Sequence, residues 1–219
     1  MNLTRIALVG FVAACAFVAW PRPPVIIDSH GPTRQLIISS TLARFDDPIV
    51  VLGDSIVEAS TLPRSWCGHA VVNAGIGGTS TASGLEEILK ASLGGKRAAL
   101  VVVSLGSNDA AVPLSVERYR SNYLALLTAV ATLTPRVAIM AIPSPEPGLL
   151  EANKVTGVVV DSYNAVLPRL AEEAGAAFIA LSAMPEHHTL DGIHLNGARY
   201  AIWDEAILAG IEAVLCKSP

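Results

Sequence analysis

Residues 98–109 read AALVVVSLGSND, and this stretch decides the architecture. Residues 98–105 are almost wholly apolar, and the composition then switches at once to Gly106-Ser107-Asn108-Asp109. A strand with one wet face alternates apolar and polar residues. A continuous run of this length fits a strand covered on both faces. Shorter runs of the same kind occur at 49–52, 70–72, 137–142 and 176–181. Helical patterns lie between them. Within 115–133, Val116, Tyr119, Tyr123, Leu126, Leu127, Val130 and Leu133 share one stripe. Ser83-x-x-Glu86 reads as a capping box opening a helix with Leu85, Ile88 and Leu89 inside. Residues 152–174 form another helical segment, ending at Gly175, in which Pro168 predicts a kink or two shorter pieces. Asn196 is placed to cap a last helix carrying Ile202, Ile207, Leu208, Ile211, Val214 and Leu215. Strand and helix alternate about five times. The expected fold is therefore α/β, a three-layer α/β/α sandwich around a parallel sheet.

Composition agrees with one such domain plus an appendage. The chain has 219 residues, of which 52% are hydrophobic and 16% charged, so it can bury a large core and is not a disordered chain. Fifteen basic residues stand against nineteen acidic ones, a net charge of −4, and no basic stripe appears. Nucleic acid is not the expected partner. Three cysteines without a Cys-x-x-Cys spacing exclude a disulfide scaffold and a zinc ribbon. Collagen, coiled-coil and polytopic membrane classes are excluded as well.

The first 24 residues stand apart. Residues 6–20, IALVGFVAACAFVAW, carry no charge; Arg5 precedes them and Pro21-Arg22-Pro23-Pro24 follows. This pattern is that of an export signal or an uncleaved membrane anchor. As a helix the run spans about 22 Å, short of a hydrocarbon core of about 30 Å unless flanking residues extend it. Val12-Ala13-Ala14-Cys15 resembles a lipoprotein box, although the apolar run continues past the cysteine. An uncleaved anchor is the leading reading, ahead of a cleaved signal and a lipoprotein. Each places the body outside the cytoplasm, anchored or secreted. Residues 25–46 read as a polar approach segment without a strong period, and 47–219 as the folded domain.

Four polar clusters follow predicted strands or lie in the last loop, and so fall on one edge of the sheet. Gly53-Asp54-Ser55 ends the first strand; a serine there either caps a helix or presents a nucleophile. Asn73-Ala74-Gly75-Ile76-Gly77-Gly78 ends the second. Its glycines let backbone N–H groups reach a ligand. Gly75 and Gly77 fit the start of a dinucleotide fingerprint, but Ser80 occupies its last glycine position and no phosphate-loop lysine follows. Gly106-Ser107-Asn108-Asp109 ends the third, with an amide able to donate to an oxyanion. Asp191-Gly192-Ile193-His194 sets a carboxylate and an imidazole within one turn of chain.

Taken in order, these four blocks make the sequence resemble the SGNH (GDSL-type) hydrolases over about residues 47–216. The resemblance implies a flavodoxin-like fold with a five-stranded parallel sheet and a serine esterase without metal or cofactor. It implies Ser55 as nucleophile, His194 as base and Asp191 as its orienting acid. The implied oxyanion hole combines the N–H groups of Ser55 and Gly78 with the side-chain amide of Asn108. Gly78 is chosen over Gly75 and Gly77 because the last glycine of the family block is the donor. Ile56 departs from the usual leucine and is expected in sheet–helix packing.

Several readings compete with hydrolysis of a carboxylic ester or thioester. An acyltransferase would use the same triad to acetylate a glycan. A membrane-anchored binding module would use the sheet edge without chemistry. A metal hydrolase would use His187, His188, Asp191 and His194, but no His-Glu-x-x-His helix accompanies them. The substrate is expected to be a small-molecule, glycan or lipid ester. The segment Pro143-Ser144-Pro145-Glu146-Pro147-Gly148 is expected as a stiff rim loop or, equally, as an ordinary surface connection. Trp66, Trp203, Tyr163 and Tyr200 are expected mainly in the core. Cys67 and Cys216 are expected as buried free thiols rather than a pair.

Overall fold

The computed structural model describes residues 29–150 and 154–216. In chain order its elements are α1 (His30–Leu42), β1 (Ile49–Gly53), α2 (Ser55–Glu58), β2 (Ser65–Trp66), β3 (His69–Gly75), α3 (Leu85–Leu93), β4 (Leu100–Ser104), α4 (Ser107–Ala111), α5 (Val116–Val130), β5 (Val137–Met140), α6 (Gly157–Glu173), β6 (Ala177–Ile179) and α7 (Gly197–Ile211), which runs into a π turn, Glu212–Cys216. The apolar segment 6–20, with its three readings, lies outside the described residues. Among those residues no helix is long and apolar enough to cross a membrane.

β1 and β4 are buried along their whole length. Successive side chains of a strand point to opposite faces. Val50, Leu52, Val101 and Val103 accordingly enter one core, and Ile49, Val51, Leu100 and Val102 enter the other. That two-sided burial explains the absence of polar alternation in the sequence. The first core is closed by α1, α3, α5 and α6, and the second by α7 with Ile56 and Val57 of α2. These are the three expected layers.

The sheet order is β2-β3-β1-β4-β5-β6. β3, β1, β4, β5 and β6 run parallel, as expected for five strands. The sixth, β2, is a two-residue antiparallel addition at the edge of β3. The turn joining them, Cys67-Gly68, has φ of 48° and 81°. Positive φ at both central residues suits a two-residue hairpin whose twist matches its strands.

Most core expectations hold, and four local ones need correction. Tyr163 and Trp203 are fully buried and Tyr200 nearly so, while Trp66 is half-buried. Ser115 and Asn196 cap α5 and α7, accepting the N–H groups of Arg118 and Arg199, each at 3.2 Å. The approach segment, however, contains a thirteen-residue helix, α1. Only Ile38 and Leu42 of α1 are buried, whereas Leu36 and Ile37 are exposed. Its apolar residues do not share a face, so periodicity could not reveal it. The capping box is also absent: α3 starts at Leu85 with Gly84 as its cap, and the Ser83 hydroxyl accepts the Ser80 N–H instead. α6 continues unbroken through Pro168. Burial of Tyr163, Leu167, Leu170 and Ala171 on both sides of the proline holds the helix together despite the missing donor. Finally, Cys67 and Cys216 are disulfide-bonded, with Cα atoms 5.5 Å apart. The hairpin turn and the last turn of chain meet across 149 residues of sequence, a proximity invisible to spacing.

Closing so long a loop stabilises mainly by restricting the unfolded chain. The double variant Cys67→Ser/Cys216→Ser is expected to lose about 2–5 kcal/mol of unfolding free energy. Urea unfolding of variant and wild type, both without reductant, measures this difference.

Candidate active site

In open α/β sheets, ligands bind outside the carboxyl ends of the strands, where successive connections depart in opposite directions. Here that point is the end of β1, flanked by β3 and β4. The chain leaves β1 at Gly53, and Asp54 caps α2 by accepting the Ile56 N–H at 2.9 Å. Ser55 is the first residue of α2, so its own N–H has no acceptor within the helix. Its hydroxyl oxygen lies 2.8 Å from Nε2 of His194.

The other end of the imidazole is fixed by Asp191. Its Oδ1 accepts the backbone N–H groups of Ile193 at 3.0 Å and His194 at 2.8 Å. Its Oδ2 lies 2.6 Å from His194 Nδ1. The carboxylate is thus anchored by the backbone before it orients the ring. Burial pushes the Asp191 carboxyl upward. The His194 backbone N–H and ring, with the Ile193 N–H, outweigh that and hold it below the ordinary carboxylate range. The three residues named from sequence therefore form one hydrogen-bonded chain.

Gly78 and Asn108 line a common cleft of about 460 Å³, together with Ser80, Ala82, Val112 and Leu114. Three glycines competed for the backbone-donor position. The Gly75 N–H donates to Asn73 Oδ1 at 3.0 Å, and the Gly77 N–H to Glu58 Oε2 at 2.7 Å. Among the described residues the Gly78 N–H meets no acceptor, and its φ of 79° is one that a side chain would strain. One proton of the Asn108 amide goes to the Thr79 carbonyl at 2.8 Å, leaving the other for a ligand. A Cβ on Gly77 would lie 3.7 Å from Cβ of Ser55, so the glycine loop runs directly beside the serine.

Several supporting residues were not found from sequence. Glu58, at the end of α2, holds the Gly77 N–H and also meets Nε2 of His30 at 3.0 Å and Nε of Arg34 at 3.3 Å. Arg34 donates to the Gly75 carbonyl at 2.8 and 3.0 Å. Helix α1 is thereby tied to the glycine loop. Asp109 accepts the Thr81 N–H and hydroxyl, the latter at 2.5 Å, which ties the start of α4 to the same loop. Isolated acids and an arginine carry no spacing signal, so only the fold reveals these partners.

The histidine pair of the last loop has other partners. His188 is buried, with Nδ1 2.9 Å from the Pro185 carbonyl and Nε2 2.9 Å from the Ser144 carbonyl. His187 is exposed beside Glu146. Among the described residues no three His, Cys, Asp or Glu side chains converge on a metal position.

A serine hydroxyl, an imidazole and a carboxylate joined in this way fit the geometry of a serine hydrolase. The chain belongs to the GDSL-like lipase/acylhydrolase family, whose family model matches residues 51–202. It is an ester hydrolase of that family. Solved structures share the fold. A Streptococcus pneumonia protein named for platelet activating factor has a TM-score of 0.68 at 21% identity, with 98% of this chain and 100% of that chain covered. A lipase/acylhydrolase from Enterococcus faecalis gives 0.60 at 20% identity, covering 78% and 98%. The acetyl xylan esterase AlAXEase gives 0.61 at 16% identity, covering 75% and 99%. No curated protein matches the chain in sequence.

Asp54 gives the site a measurable electrostatic signature. Complete burial pushes its carboxyl from 3.8 up to about 7, against the lowering effect of the Ile56 N–H. A carboxyl raised in the folded state contributes stability that is fully present below its unfolded value and lost as the pH rises through about 7. Asp54→Asn keeps an acceptor for the Ile56 N–H but cannot ionise. Calorimetry at about pH 5 and about pH 8 is expected to show a smaller fall in melting midpoint for this variant than for wild type.

Proposed function

We propose that the protein is a serine esterase that cleaves carboxylic esters through an acyl-enzyme on Ser55. The observation that carries this reading is the 2.8 Å contact between Ser55 Oγ and His194 Nε2, continued to Asp191. A serine hydroxyl is a weak nucleophile until a base takes its proton. In the first half-reaction Ser55 Oγ bonds to the ester carbonyl carbon while its proton passes to His194 Nε2. The carbonyl oxygen becomes an oxyanion. The Ser55 and Gly78 N–H groups and the free Asn108 amide proton are its donors. The intermediate collapses, the carbon–oxygen bond to the alcohol breaks, and His194 returns the proton to the leaving alkoxide. Water repeats the sequence on the acyl-enzyme, releasing the acid and restoring Ser55. Asp191, kept ionised by its three hydrogen bonds, stabilises the imidazolium formed in each half.

Acetylated glycans are the first substrates to test, a choice supported by the acetyl xylan esterase among the structural relatives. Small-molecule and lipid esters belong to the same reaction class. The Cys67–Cys216 disulfide supports a location outside the cytoplasm, since such bonds persist in oxidising compartments. The apolar segment 6–20 is then an anchor or export signal.

Short and long acyl nitrophenyl esters, acyl thioesters and acetylated xylan form the test panel. Ser55→Ala is expected to abolish turnover. Asn108→Ala is expected to remain folded while kcat drops about a hundredfold or more, a loss of about 2.7–4 kcal/mol of transition-state stabilisation. Near-normal turnover by that variant removes Asn108 from the hole.

A further inference from the structure

The loop carrying Asp191 and His194 has few regular backbone partners of its own. A single bridge pairs Thr189 with Leu195, and the Leu190 N–H donates to the His194 carbonyl at 2.8 Å. Asn196, the cap of α7, holds its near end, the N–H donating to the His188 carbonyl at 2.9 Å and the side-chain amide to the His187 carbonyl at 2.8 Å. Among the described residues, most hydrogen bonds reaching the loop from elsewhere in the chain come from one residue of the proline-rich segment after β5. Glu146 Oε1 accepts the His187 N–H at 2.8 Å. Its Oε2 accepts the Thr189 N–H at 2.9 Å and the Thr189 hydroxyl at 2.8 Å. Its backbone N–H donates to the Gly192 carbonyl at 2.8 Å, one residue from Asp191. The Thr189 hydroxyl oxygen in turn accepts the Gly192 N–H at 3.0 Å. One side chain and one peptide group of Glu146 therefore touch the loop at residues 187, 189 and 192.

The same junction is held from inside by His188. The carbonyl oxygens of Pro185 and Ser144 that face its ring can only accept. Glu146 Oε2 lies 3.8 Å from Nδ1 of that ring. The Thr189 hydroxyl and N–H, with the His187 N–H and the nearby His188, hold the Glu146 carboxyl down at about 2, well below its ordinary 4.5.

We propose that Glu146 is a positioning residue for the catalytic loop: it straps the rim segment 143–148 to residues 187–192 and so sets the placement of Asp191 and His194 against Ser55. The inference rests on the esterase reading for its consequence in turnover, and on the hydrogen bonds alone for its consequence in loop order. Proline at 143, 145 and 147 stiffens the strap, and Glu146 is its point of attachment. Its carboxylate remains ionised at every pH at which the enzyme is expected to work.

Full-length wild type, Glu146→Ala and Glu146→Gln are compared in three measurements. The first is the rate at which a fluorophosphonate labels Ser55. The second is kcat and KM on a short acyl nitrophenyl ester. The third is amide hydrogen exchange across 187–194, together with the low-field proton resonance of the His194–Asp191 hydrogen bond. Glu146→Gln matters because it keeps the size but turns an N–H donor toward groups that are themselves donors. Both variants are expected to label about tenfold to a hundredfold more slowly, the range produced by small misplacements of catalytic groups. kcat is expected to fall with KM nearly unchanged, exchange to quicken at 187–192, and the low-field resonance to broaden. The melting midpoint is expected to move little, which separates lost placement from lost fold. Labelling within twofold of wild type, with unchanged exchange in the loop, overturns the proposal. If wild type itself resists labelling while exchange quickens in the variants, the strap stands and the esterase reading falls. If Glu146→Ala does not fold, Glu146→Gln decides by the same criteria.

Discussion

Close approach between the short helix after β1 and the end of β3 governs this molecule. A Cβ on Gly75 would lie 2.2 Å from the backbone nitrogen of Glu58, a separation no real side chain tolerates. Without a side chain at that point, α2 rests directly on the β3 terminus. Ser55 begins that helix, and the glycine loop continues from that strand. The serine and the glycine loop are therefore neighbours because two backbones touch. Asn73 reinforces the contact, donating to the Val57 carbonyl at 2.6 Å and accepting the Gly75 N–H. Rigid elements in contact place a site more exactly than loops can.

The acids around the site work in different ways. Asp191 meets the imidazole. Glu58, with Arg34, grips the loop that presents Gly78, and Asp109 grips it from the side of Asn108. Glu146 grips the loop that presents Asp191 and His194. Each supporting carboxylate bonds backbone N–H groups or the Thr81 and Thr189 hydroxyls. Bonds to an ionised acceptor are shorter and more directional than those to a neutral one. Much of the site's precision thus comes from residues that need never touch a substrate. Helix α1 belongs to this support, although it precedes the region matched by the family.

The sheet was legible because full burial leaves a plain record: the runs around 49–52 and 98–105 have no polar alternation to mislead. The hydrogen-bonded chain of Ser55, His194 and Asp191 was legible because its members occupy short blocks with their own turn chemistry. Asp191 and His194 are three residues apart, and Ser55 and Asn108 each follow a strand. Arg34, Glu58 and Glu146 left no such record. Each acts across a sequence separation of nineteen residues or more, and each looks like any other surface charge until the chain is folded. The capping box failed for a related reason: Ser83 had a closer donor in Ser80 than any helix N–H offered. Pro168 failed to break α6 because tertiary burial overrode a local preference. The disulfide joins a hairpin turn to the far end of the chain, and nothing local to either cysteine reports the other.

That crosslink turns nearly the whole catalytic body into a closed covalent ring. Every strand from β3 onward, the glycine loop, Asn108, the rim segment and the base loop lie between the two sulfurs, whereas β1 and Ser55 lie just outside it. A protease that nicks any exposed connection within the ring cannot release a fragment, because both halves stay tethered through sulfur. Such a nicked molecule keeps its pieces at high local concentration and can hold its shape after damage that would dismantle an open chain.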